Sequence, residues 1–328
     1  NVGGWGATSA MVTNSFPAEG GQKLLLGKVT ERFGYSVTPC FISGARGALD
    51  HEKEFFLDGA AGRLYLMPPG KADSIYDAAW HPADPSGLAV YAKKRITVIE
   101  MYGVTNVIFD RVNTMMGGIY MSNVTHCALL NSRHRYSSHF TMIMDSAGEF
   151  AQGGTPHDPE NSGVYISGEG CRIEGCEIAY SATGVRLLGI DHIIRNNVIT
   201  DIYGGTYFGN IYINHQTLVR GERGGHLVER NTLARASRDQ IVMTTGSINP
   251  PDVYKKCRIL HNELADCMMN TEDGGAMYWF ALDGGGTEVA YNWVHGEWGG
   301  YNFNPALYAD NNCLNYRYHH NVIWDIDL

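Results

Sequence analysis

The sequence predicts an all-β protein, a right-handed parallel β-helix with a small antiparallel β insertion near its N-terminus. Three observations predict it: an eight-residue pattern that occurs six times, a short strand-like pattern between its copies, and 40 glycines in 328 residues. Average glycine usage is roughly 7%, so this is a chain full of turns.

The eight-residue pattern reads CRIEGCEI (171 to 178), HIIRNNVI (192 to 199), HLVERNTL (226 to 233), CRILHNEL (257 to 264), TEVAYNWV (287 to 294) and YRYHHNVI (316 to 323). Its sixth residue is Cys176, Asn197, Asn231, Asn262, Asn292 and Asn321, and its third and eighth residues are nearly all aliphatic. Successive copies lie 21, 34, 31, 30 and 29 residues apart. The second pattern comprises GIYMS (118 to 122), GVYIS (163 to 167), GVRLL (184 to 188), NIYIN (210 to 214), QIVMT (240 to 244), AMYWF (276 to 280) and ALYAD (306 to 310).

Runs rich in β-branched and aromatic residues, separated by Gly, Asn and Asp, read as strands rather than as helical periodicity. Repeats this short hold two or three short strands, too few for a propeller blade. In a β-helix equivalent positions stack about 4.8 Å apart on successive coils. The repeated asparagines then form an inward ladder in which each amide satisfies its neighbour. His126, His192 and His226, read as lying five before the ladder position, are expected to be stacked structural imidazoles rather than metal ligands.

The elements follow in order. Residues 1–45 are read as a first coil or edge segment. Residues 46–100 are read as the antiparallel insertion, with Asp58-Gly59 and Ala61-Gly62 marking the turn between FFL and RLYLM. Residues 101–328 are read as the β-helix carrying a groove. The chain stops soon after a repeat, without an amphipathic cap for the last coil, so either more sequence or another cover is expected there.

Composition narrows the function classes. With 25 Lys+Arg against 34 Asp+Glu the net charge is −9, which argues against a nucleic-acid backbone binder. No apolar run reaches the roughly 18 residues of a membrane-spanning helix. The 19 tyrosines and 6 tryptophans suit either strands or a surface that stacks on sugar rings. Seven cysteines form no CxxC pair, so zinc is not expected and most read as small buried hydrophobes.

These residues resemble the right-handed parallel β-helix proteins of carbohydrate metabolism, a superfamily of glycoside hydrolases, polysaccharide lyases and epimerases. FFLDGAAGRLYLMPPG resembles the small β insertion that many members place before the helix. EDGGAMY followed by ALYADNN is similar to a late-coil signature of the glycoside hydrolase branch, in particular glycoside hydrolase family 141 and its relatives. The likeness covers about residues 50 to 328. It implies a secreted, periplasmic or cell-surface hydrolase of a polysaccharide or oligosaccharide, with no cofactor.

Glycoside hydrolysis needs two carboxyl groups across the scissile bond. The resemblance assigns them to Asp273, of the DGG element, and Asp310, after the LY strand. Asp310 also departs from its own column of Ser122, Ser167, Leu188, Asn214, Thr244 and Phe280. A turn role for Asp273 and an Asx turn for Asp310 are the alternatives. The register poses a difficulty, since Asp273 lies five residues before Tyr278 and Asp310 two after Tyr308; the loop must fold back.

Glu272 and Glu297 are reserve carboxylates, Glu272 as a neighbour that would raise a pKa. His295, Trp298 and Glu297, in HGEWGGYNFN, are read as a sugar-binding loop against an ordinary long loop. His215, after NIYIN, and Arg186, replacing tyrosine in its column, are further substrate-binding candidates; Arg186 would hold a uronate carboxylate or bridge to a neighbouring coil. A polysaccharide lyase, for which Ca²⁺ is the expected cofactor, and a non-catalytic tailspike or adhesin are the rival functions. The absence of lysine after Lys256 favours hydrolysis over lysis.

Overall fold

The computed structural model describes residues 9–10, 12–18, 21–26, 46, 49, 54–67, 70–71, 81–82, 89–138, 143–144, 163–203, 209–214, 224–244, 255–269, 271, 273–298 and 304–326. The chain divides into two compact units, residues 39–92 and residues 1–38 together with 93–328.

In the larger unit three eight-stranded sheets are built wholly from parallel pairs. Each coil gives one strand to each sheet. The first sheet holds Thr97–Tyr102, Gly118–Thr125, Val164–Glu169, Val185–Ile190, Ile211–Asn214, Ile241–Thr244, Met277–Phe280 and Leu307–Asp310. The second runs from Ile108–Asp110 to Leu314–His319 and the third from Thr114–Met115 to Val322–Ile323. Neighbours in every sheet are successive coils, the order of a parallel β-helix; parallel crossovers are almost always right-handed.

Strand alternation builds the core. From the first sheet Ile119, Val164, Val185, Ile211, Ile241 and Met277 point inward, as do Met121, Ile166, Leu187, Ile213, Met243 and Trp279. The third and eighth residues of the repeats do the same from the other two sheets: Ile173, Ile194, Val228, Ile259 and Val289, and Ile178, Ile199, Leu233, Leu264 and Val294, are buried. Each such side chain contributes about 1.5–3 kcal/mol over its exposed state. Cys127, Cys171, Cys176, Cys257 and Cys267 are buried, free thiols, as small hydrophobes should be.

The asparagine ladder is present. Asn197, Asn231, Asn262 and Asn292 each donate Nδ2–H to Oδ1 of the next asparagine, ending at Asn321, over 2.9–3.0 Å. Each next Oδ1 also accepts the backbone N–H of its predecessor. The preceding residue always turns through the left-handed region, with φ of 56° at Asn196, 54° at Arg230, 55° at His261, 58° at Tyr291 and 54° at His320. The ladder amides satisfy the polar backbone that so tight a corner leaves over.

A second, shorter ladder lies at the turn between the first and second sheets. His192 and His226 stack with centroids 5.2 Å apart, and Nδ1 of each accepts a backbone N–H from the coil before. Burial pushes His192 down to about 4 and His226 well below its ordinary value, so both are neutral. His126 is not in this ladder. Leu129 pairs with Ile173, which puts Cys127 in line with Cys171 and Ser132 with Cys176, while His126 takes the exposed left-handed position at φ 51°. The one-residue offset moves its ring to the other face.

The β-helix begins at Thr97, within the segment expected to belong to the insertion, because Thr97–Tyr102 pairs with Gly118–Thr125. Toward the N-terminus Val12–Ala18 and Gly21–Leu26 form an antiparallel hairpin rather than a coil, and Ser9–Ala10 pairs with Ile143–Met144 in parallel. In the smaller unit Phe55–Asp58 and Arg63–Leu66 form the expected antiparallel hairpin. Its turn is held by the Ala61 N–H on Asp58 Oδ1 at 2.9 Å and by Gly62 at φ 63°.

Candidate active site

The residues that alternate with the core stand on the outer face of the first sheet in two columns. In register, one column runs Glu100, Tyr120, Tyr165, Arg186, Tyr212, Val242, Tyr278, Tyr308. The other ends Asn214, Thr244, Phe280, Asp310, so Asp310 does stand in the column inferred from sequence. Tyr212, Val242 and Tyr278 pack with Phe280 and Tyr308 into an apolar cluster separate from the core.

Two carboxyl groups meet at the end of this cluster. Asp310 Oδ2 accepts the Tyr278 hydroxyl at 2.8 Å, and its Oδ1 accepts Asn311 Nδ2–H at 2.8 Å. Asp273 Oδ1 lies 3.3 Å from the Tyr308 hydroxyl. The two phenol rings stand edge to face with centroids 5.2 Å apart. Burial, then the charges of Asp273 and Asp310, hold the Tyr308 phenol well above its ordinary range. Burial, then the bond to Asp310, does the same for Tyr278. Both phenols are therefore protonated donors at neutral pH, and both carboxylates act on Tyr308.

The loop before Met277 folds back, and its glycines are the reason it can. A Cβ on Gly274 would come 2.7 Å from Asp239 Oδ1, and one on Gly275 2.3 Å from the Pro305 carbonyl oxygen. Asp273 itself takes φ 60°, a conformation that aspartate tolerates better than most residues. Its turn role and its position at Tyr308 are thus one geometry.

Sequence reasoning missed what anchors the loop from below. Arg238 and Asp239 are fully buried and form an ion pair. Arg238 Nη2–H donates to the Asp273 carbonyl at 3.0 Å and its guanidinium lies 4.9 Å from the Tyr278 ring centroid. Asp239 Oδ1 accepts the Gly275 N–H at 3.0 Å. Burial pushes the Asp239 carboxyl up, and Arg238 together with that N–H pulls it back. The only sequence signal was SRDQ, two charges just before a strand, which reads as a solvated turn.

The other candidates are dispersed. Arg186 is fully buried, its guanidinium 5.7 Å from the ring centroids of both Tyr165 and Tyr212, so it is sandwiched between neighbouring coils and not displayed for a polymer carboxylate. His295 stands on the third sheet, stacked on Trp324 at 4.3 Å and 3.2 Å from Glu263 Oε1, whereas Asp310 is on the first sheet and Asp273 in the loop that enters it. Glu297 and Trp298 lie on that same strand, and Trp298 pairs with Cys267. Glu272 and His215 lie outside the described residues. Among the described residues no group of three or more His, Cys, Asp or Glu is placed to hold a metal.

Fold and site together define a parallel β-helix that carries a carboxyl–phenol cluster on the outer face of its first sheet. No family model matches the sequence, and no curated protein matches it. Among solved structures it is similar to HetL, a pentapeptide repeat protein involved in heterocyst differentiation regulation from the cyanobacterium Nostoc sp.. The two are 7% identical, with 65% of this chain and 87% of HetL covered and a TM-score of 0.16, too low to carry an argument.

Proposed function

We propose that the chain is a glycoside hydrolase that cleaves a glycosidic bond in a complex polysaccharide, with Asp273 and Asp310 as its carboxyl pair. The observation that carries this reading is that carboxyls from two successive coils, 37 positions apart in sequence by their numbering, are focused on the hydroxyl of Tyr308. In hydrolysis one carboxyl gives its proton to the departing glycosidic oxygen, and the other, ionised, attacks the anomeric carbon or activates water. Tyr278 and Tyr308 donate to the carboxylates and fix their orientation, a task for which protonated phenols are suited. Arg238 and Asp239 hold the Asp273 loop in place.

The test is to replace Asp273 and Asp310 singly by Asn and to assay sugar release from a panel of polysaccharides. Each substitution is expected to lower cleavage by about 10²–10⁴-fold, the usual weight of one acid–base group, with the melting temperature kept. Cleavage retained in both variants overturns the assignment. Products with an unsaturated end sugar point to a lyase, and an inactive wild type that binds polysaccharide points to an adhesin.

A further inference from the structure

A groove of about 440 Å³ lies along the outer surface where the second sheet turns into the third, on a different sheet from Asp273 and Asp310. Its floor is three residues in register on successive coils, Thr232, Glu263 and Trp293. Its wall is the left-handed turn column, Arg230, His261 and Tyr291.

The wall is rigid, since Tyr291 is stacked between His261 at 5.0 Å and His320 at 4.9 Å. The floor carries a large exposed indole: Trp293 is 57% exposed. Beside it Glu263 is fixed by the Thr232 hydroxyl and by His295, each at 3.2 Å. Arg230 keeps a side chain that is 60% exposed. The amides of Asn231 and Asn262, which also line the groove, are committed to the ladder. Polar recognition is then open to the Glu263 carboxylate, the Thr232 hydroxyl and the Arg230 guanidinium around one flat ring, with the imidazoles of His261 and His320 and the Tyr291 hydroxyl along the wall.

A pyranose matches that combination. Its CH face is apolar and suits an indole, while its hydroxyls both donate, to Glu263, and accept, from Arg230. A polyanion is disfavoured by the net charge of −9. We propose that this groove is an accessory glycan-binding site in which Trp293 is the stacking platform and Glu263, Thr232 and Arg230 take the sugar hydroxyls. The choice of a glycan rests in part on the function proposed above.

The experiment is affinity electrophoresis of the full chain carrying Asp273→Asn and Asp310→Asn, so that binding is read without turnover. The gels contain soluble xylan, galactomannan, mixed-linkage glucan or polygalacturonate. Retardation is expected in at least one gel. Adding Trp293→Ala should weaken it about tenfold, the scale of one lost ring contact, Trp293→Phe should restore most of it, and Glu263→Gln should weaken it about threefold. Retardation that neither Trp293→Ala nor Glu263→Gln changes overturns the proposal, as does a protein that no gel retards. Cleavage that survives both aspartate substitutions removes the active-site reading and leaves the groove; retardation unchanged by both Trp293→Ala and Glu263→Gln removes the groove and leaves the active site.

Discussion

The corner between the second and third sheets and the outer face of the first sheet are built to opposite rules. At the corner two residues separate the strands on each of the last seven coils, from Asn131–Ser132 to His320–Asn321. The first residue is left-handed and the second belongs to the ladder on most of them. The connections into and out of the first sheet differ from coil to coil: two residues between Ile190 and Ile193, twelve between Asn214 and Leu227, thirteen between Thr244 and Arg258. One side of each coil repeats a solved problem and the other is free to vary. Chemistry collects on the side that varies, because a carboxylate pair needs two different loops, whereas a ladder needs identical ones.

The largest effect should come from acid, which acts on both sides of the coil. His134, His192 and His226 are buried, with His134 and His192 pushed by burial to about 4 and His226 well below its ordinary value. Unfolded, each takes up a proton near pH 6.5, so the unfolded state binds more protons below that pH. Stability is therefore full above about pH 6.5 and falls as the pH drops toward 4, by up to about 3 kcal/mol for each imidazole. Denaturant titrations across that window measure it, and a flat profile would count against buried neutral imidazoles.

A single rung is the next largest lesion. Asn262 Nδ2 donates to Asn292 Oδ1 and the Val228 carbonyl, and its Oδ1 accepts both N–H groups of Asn231. Asn262→Ala leaves the Asn231 backbone N–H without its acceptor and takes one bond each from Asn292 Oδ1, Asn231 Nδ2 and the Val228 carbonyl in a buried corner, and should cost about 2–4 kcal/mol, seen as a lower urea midpoint. The corresponding change on the variable side is smallest in stability. Tyr308→Phe removes the hydroxyl next to Asp273 in a partly buried side chain, and should cost under about 1 kcal/mol while lowering cleavage about tenfold. Equal losses of stability in the two variants would erase the contrast.

The same asymmetry decides what could be read from the sequence. The ladder, the core positions and the parallel coil were legible because the two-residue corner fixes an eight-residue pattern; whether a coil held two strands or three was not. The place of Asp310 was legible because strands of the first sheet stay in register. His126 was misplaced because Ser132, not Asn131, holds the ladder position on its coil, and a substitution in the ladder hides the register. That the loop before Met277 folds back was legible from the register of Asp273 and Asp310, but its anchor was not, since the buried pair Arg238–Asp239 on the preceding coil reads in sequence as a solvated turn. Of the two readings of Arg186, the one that displays it to substrate fails because outward on a strand is not the same as exposed.

The asparagine ladder has one more consequence. Because each amide is polarised by the one before it and bonds only to adjacent coils, the spine behaves as a one-dimensional chain of nearest-neighbour couplings. In such a chain a broken rung is felt first by its two neighbours. The carboxyl pair lies on the seventh and eighth coils, so parting those two coils and losing the site are the same event.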